Sequence, residues 1–155
     1  MTSPVVQHHY AEMFAHCYGC GRMNPDGIQL KSVWEGDDVV ARYTPRPEHT
    51  AMPGFVYGGL VASLIDCHGM ATAAAHAERQ AGRTLGAQEA PRFVTASLHV
   101  DYLKPTPLGP ELVLRARVEE TVKRKLVVRM TVSADGVETA RGEVVAAPLP
   151  ASMGG

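Results

Sequence analysis

One carboxylate stands apart in this chain. Asp66 lies in the stretch from Gly58 to Thr72, which carries no other charged residue. Helical spacing of the apolar residues places it two turns inside a helix. An unpartnered carboxylate in an apolar interior costs several kcal/mol, so such a residue either bonds a neighbouring strand or serves a substrate. Its chemistry would be that of a general base for water or of a nucleophile, and the residue types do not separate the two. Its helical neighbours Gly59, Ala62, Ser63, Gly69, Met70 and Ala73 are small, Met70 excepted, which predicts room beside the carboxylate for a substrate or a second helix. At the head of the helix stand Gly58 and Gly59. Free N–H groups and the positive dipole end suit a developing oxyanion there, and glycine lets a flat carbonyl compound approach closely. A plain tight turn is the alternative. Asp66, Gly58 and Gly59 form the expected catalytic set. No Gly-x-Ser-x-Gly and no suitably placed His suggest a serine triad.

Other polar side chains are weaker candidates. Ser63 and Thr72 lie near the same face, where either could hold a water or bond its own helix backbone. His68, two residues from Asp66, points elsewhere on a helix and reads as core or interface. His49 and Tyr57 bracket a Pro53-Gly54 loop and, with Phe55, are candidate pocket linings. Cys17-x-x-Cys20, with His8, His9 and His16 nearby, has a spacing that suits two thiolates on zinc. No second ligand pair follows at metal spacing, and Cys67 falls in the buried helix. The expectation is no metal and no cofactor, with the segment an arm packed near the site.

The elements that must hold these residues follow from periodicity. Ile28 to Trp34 alternates, Gly36-Asp37-Asp38 turns, and Val39 to Thr44 alternates again, which predicts a β-hairpin. Prolines and glycines between Thr44 and Phe55 make a loop. From Gly58 to about Arg79 the spacing is helical and apolar nearly all round, which predicts burial on every side. After a Gly-punctuated loop come four alternating runs, Ala96–Tyr102, Leu112–Val118, Leu126–Val132 and Val137–Ala147. One-sided alternation predicts antiparallel strands in a meander. A single sheet leaves the far side of such a helix bare. The expected architecture is therefore α+β, a curved antiparallel β-sheet wrapped around one long central α-helix and closed by a second subunit.

The run Glu48-His49-Thr50-Ala51-Met52-Pro53-Gly54-Phe55-Val56-Tyr57-Gly58-Gly59-Leu60-Val61-Ala62-Ser63-Leu64-Ile65-Asp66 resembles the signature of the hotdog-fold acyl-coenzyme A thioesterases, closest to the phenylacetate-pathway type. Val100-Asp101-Tyr102-Leu103-Lys104-Pro105-Thr106-Pro107-Leu108-Gly109 looks like the matching strand and loop. The lead-in from Cys17 through Gly21, with Asn24 to Ile28, is similar to the opening of one subgroup. The likeness implies a hotdog fold and hydrolysis of an acyl-coenzyme A substrate. It further implies that Asp66 and Gly58 act across a homodimer interface, within a dimer of dimers. His49, Phe55, Tyr57 and Ser63 would then meet the substrate. Lys104 is a candidate for the coenzyme A phosphates, as are Arg92, Lys123 and Arg124. One position departs: Tyr57 stands where the family usually has His before the two glycines. The alternative function is a non-catalytic acyl-coenzyme A-binding hotdog protein, a sensor or structural module.

Bulk properties agree with one soluble domain. The 155 residues are 45% hydrophobic and 20% charged, with a formal net charge of -1. Nucleic acid and membrane partners are not expected. Met1 to Cys17 lacks the basic and apolar regions of a secretory signal, and three cysteines make no disulfide scaffold, so the cytoplasm is the expected location. The expected division is an irregular arm over 1–26, a single domain over 27–148 and a tail over 149–155.

Overall fold

The computed structural model describes residues 3–154. Met1, Thr2 and Gly155, the outermost parts of the expected arm and tail, lie outside the described residues. Six strands form one sheet: β1 (Ser32–Glu35), β2 (Asp38–Tyr43), β3 (Phe93–Tyr102), β4 (Leu112–Val122), β5 (Lys125–Ala134) and β6 (Val137–Pro148). One long helix, α1 (Gly58–Gln80), packs against all six. A short α2 (Ala151–Gly154) ends the described chain. This is the expected hotdog architecture.

Why α1 forms is plain from its composition. It is rich in alanine, free of proline, and 23 residues long, so propensity and burial agree. It stops where Gly82, at φ +72°, takes the left-handed conformation. Gly82 N–H then donates to Arg79 O and Arg83 N–H to Glu78 O, the paired closure of a Schellman end. Leu60, Val61, Leu64, Ile65, Ala71 and Ala75 are buried against the sheet. Gly142 on β6 allows the closest approach, since a Cβ there would stand 2.5 Å from Ile65 Cγ2.

Three expectations about these elements need correction. The strands do not run as one meander: the sheet order is β1-β2-β4-β5-β6-β3, all pairs antiparallel. Only β4, β5 and β6 follow one another, because the Pro-rich segment after β3 carries the chain across the sheet and leaves β3 at an edge. Ile28 to Leu30 is not strand. Ile28 and Leu30 N–H donate to Tyr18 and Gly19 carbonyls in the arm, and Gln29 has φ +54°. The helix is also not buried all round: Gly59, Ala62, Ser63 and Asp66 keep a partly open stripe.

The arm is irregular but not loose. Val6–His9 and Glu12–Phe14 make single 3-10 turns, and Val6, Gln7 and Tyr10 are buried. Gln7 Nε2 donates to Ser32 Oγ at 2.9 Å, and Ser32 N–H donates back to Gln7 Oε1 at 2.9 Å. Ser32 Oγ meets His68 Nδ1 at 2.8 Å, and His68 Nε2 lies 3.0 Å from Val39 O. His68 is thus core, and its full burial pushes its pKa down to about 4.

Candidate active site

Asp66 sits on the open stripe of α1, half-buried rather than sunk in the interior. It is also not without a partner. Thr95 Oγ1 on β3 donates to Asp66 Oδ1. The pairing of β3 with β6 slips between Thr95 and Ser97, and such a bulge re-aims the side chains beside it. Nothing in the sequence marks Thr95, because alternation alone does not reveal a bulge. A cavity of about 140 Å³ adjoins the carboxylate, lined by Cys17, Asp66, Cys67, Met70, Arg92 and Thr95 among others.

The expected small face around Asp66 is open for half of its length. Gly59, Ala62 and Ser63 remain accessible. Gly69 instead lets β6 come near, with Val144 side-chain atoms 3.0 Å from where its Cβ would be. Met70 and Ala73 are buried. Ser63 Oγ donates to Gly59 O at 2.8 Å and Thr72 Oγ1 to His68 O at 2.8 Å, so both hydroxyls serve their own helix.

The head of α1 gathers a second group. Tyr57 is its N-cap and supplies no side-chain cap. Leu60 and Val61 N–H both donate to Tyr57 O, and the Gly58 and Gly59 N–H groups find no acceptor among the described residues. The Tyr57 ring lies against Gly59, where a Cβ would stand 2.4 Å from ring carbon Cε2. Tyr102, at the end of β3, donates its hydroxyl to Gly58 O at 2.7 Å. That tyrosine falls in the Val100 to Gly109 run that resembles the family's strand and loop, but nothing in the sequence marks its hydroxyl as a partner of the helix head. Tyr57 and Tyr102 are both more than half exposed.

His49, Phe55 and Lys104 do not converge on Asp66. His49 Nδ1 accepts the Arg46 N–H at 2.9 Å, and its own carbonyl accepts the Tyr57 N–H at 2.8 Å, so the ring shapes the loop that delivers Tyr57. Burial, with the nearby Arg46 charge, lowers its pKa. Phe55 bridges to Pro107 at the surface. Lys104 is exposed just past β3. Of the other basic candidates, Arg92 and Arg124 border one apolar trough of about 460 Å³ with Phe93 and Leu126.

Distance decides how these groups can cooperate. Eight residues of helix separate Gly58 from Asp66, a rise of about 12 Å. One thioester carbonyl cannot touch both within a single chain.

The third thiol completes a cluster that spacing had not revealed. The Cys17, Cys20 and Cys67 sulfurs all lie within 4.8 Å of one another. Hydrogen bonds from the Cys20 and Cys67 thiols hold the Cys17 thiol well below its ordinary range. Its acceptor role pushes Cys20 up to about 12 and Cys67 well up also.

Comparisons with known proteins agree with this architecture. Residues 53–141 match the family model described as "Thioesterase superfamily". The chain is 33% identical over 88 residues to acyl-coenzyme A thioesterase THEM4 of Xenopus laevis, covering 57% of this chain and 34% of that protein. It thus spans about a third of the length of the curated relatives it matches. A thioesterase superfamily protein from Shewanella loihica PV-4 superposes with a TM-score of 0.68 at 47% identity, covering 89% of this chain and 97% of that one. The PaaI protein from the phenylacetic acid degradation operon of E. coli shares the fold, with a TM-score of 0.63 at 14% identity over 79% of this chain and 81% of that one. With a helix and edge strand built to this pattern and a family match over more than half of its residues, the chain belongs to the thioesterase superfamily.

Proposed function

We propose that this protein hydrolyses acyl-coenzyme A thioesters at a site shared by two copies of the chain. The observation that carries the reading is the half-open Asp66 carboxylate, set beside a cavity on the one face of α1 that the sheet leaves uncovered. Thr95 engages Oδ1, which leaves Oδ2 to take the proton of an attacking water. The thioester oxygen, as it gains charge, accepts N–H bonds from Gly58 and Gly59 of the partner, and the thiolate of coenzyme A departs. The exposed Tyr57 and Phe55, next to the helix head in sequence, are the proposed acyl contacts, and the Arg92 and Arg124 guanidinium groups suit phosphates.

Dimerisation is part of the proposal. β3 is an unpaired edge whose Leu98 and Tyr102 are 41% and 54% exposed, and pairing with a second β3 would cover them. Among the described residues, no helix is long and apolar enough to cross a membrane. Three free thiols suit a reducing compartment such as the cytoplasm.

A panel of acyl-coenzyme A esters with a thiol-detecting dye tests the reading. Wild type should turn over at least one of them, and Asp66→Asn should fall by about a hundredfold or more while keeping its fold. Binding without turnover in the wild type would support the non-catalytic alternative instead. Equal rates in wild type and Asp66→Asn would remove the carboxylate from the mechanism.

A further inference from the structure

Three thiols that hydrolysis does not use meet where the arm crosses α1. Cys17 and Cys20 come from the arm, and Cys67 comes from the helix. The Cys17 and Cys67 sulfurs are 3.8 Å apart. A disulfide needs about 2.05 Å. Two ligands on a tetrahedral ion with metal–sulfur bonds of about 2.3 Å stand about 3.8 Å apart. The separation fits ligands on a common ion and is too long for a disulfide, and the Cys20 sulfur lies within 4.8 Å of both.

The backbone is arranged to the same end. Gly21 N–H closes the turn on Cys17 O at 2.8 Å, which folds Cys17 and Cys20 into one tight turn. Gly19 and Gly21 are both required by the packing. A Cβ on Gly19 would stand 2.3 Å from the Cys67 sulfur, and one on Gly21 would stand 2.5 Å from Ala15 O. A divalent ion with three thiolates carries a net negative charge. Arg92 lines the cavity onto which Cys17 and Cys67 open.

We infer that Cys17, Cys20 and Cys67 bind one thiophilic divalent cation, zinc by its chemistry, which fastens the arm to the helix that carries Asp66. Three soft sulfur ligands select zinc over magnesium or calcium. Binding displaces to solvent whatever thiol protons remain on the three sulfurs, changes no oxidation state, and leaves the fourth position to a water in the adjoining cavity. The site stands whether or not the chain is a hydrolase.

The test uses the whole protein, reduced with a non-thiol reductant and freed of metal. Titration with Co²⁺ should give saturable thiolate-to-cobalt charge transfer and visible bands of tetrahedral intensity at one ion per chain, displaced by Zn²⁺. Each of Cys17→Ser, Cys20→Ser and Cys67→Ser should weaken zinc binding by about a hundredfold against a chromophoric chelator. Zinc should also raise the thermal midpoint of the wild type and leave that of Cys67→Ser unmoved. Asp66→Asn, which removes no thiol, should bind zinc like the wild type. Absence of saturable binding by the reduced wild type overturns the inference, as does undiminished binding by folded Cys67→Ser.

Discussion

The Thr95 hydroxyl is the only side-chain group hydrogen-bonded to the Asp66 carboxylate among the described residues, and it makes Thr95 a positioning residue for the proposed reaction. Thr95→Val keeps the shape and removes the donor. Steady-state kinetics should show kcat reduced by about tenfold with KM little changed, because the lost bond orients the carboxylate and not the bound ester. A drop confined to KM would mean that Thr95 serves binding. His68 yields a prediction about stability. Its pKa is about 4 when buried and 6.5 as an ordinary histidine, so the unfolded chain takes up the proton first as pH falls. Stability is therefore full above pH 6.5, declines between 6.5 and 4, and then levels, by roughly 3 kcal/mol in all. Urea midpoints across that window should follow this course, and His68→Gln should lose its share of the slope. Asp66 itself was legible in the sequence as a lone charge in an apolar run. Its partner was not, because a hydroxyl on another strand becomes a neighbour only through the bulge at Thr95 and Ser97. The third thiol of the arm cluster was hidden likewise, being 47 positions from Cys20 along the chain and in contact only once α1 docks.

The helix and the turns could be read almost to the residue. Alanine content, the absence of proline and Gly82 bound α1 at Gly58 and Gln80. Asp135 and Gly136 both take positive φ, 50° and 75°, as a two-residue hairpin turn demands. Strand order was less legible. Alternation reports which face of a strand is covered, not which strand lies alongside, so β3 read as the first member of a meander although it pairs with β6. Gly142 on β6 carried no sequence signal for its role against Ile65. Gly142→Ala would press its methyl on the fully buried Ile65 side chain, so the helix or the sheet must shift. Denaturant unfolding should report a loss of about 1–3 kcal/mol. A neutral result would show that α1 and the sheet can part slightly without cost.

Taken as a whole, the molecule exposes the stripe Gly59, Ala62, Ser63 and Asp66 on α1 and the free edge of β3, the surfaces that the proposed dimer would cover. Leu98→Asp puts a charge on the edge strand, where it should oppose strand pairing. If the proposed two-chain site forms, sedimentation should then show a lighter species than the wild type, and turnover should fall with it. A variant that stays assembled and active would detach β3 from the proposed interface. The bonded series Gln7, Ser32, His68 and Val39 O has a further consequence. Gln7 waits for Ser32, and Ser32 waits for His68, another 36 positions along. During synthesis the arm leaves the ribosome well before the helix, so it has no seat to occupy until α1 has emerged. A nascent chain halted before residue 68 should expose Gln7 to proteases that cannot reach it in the finished protein.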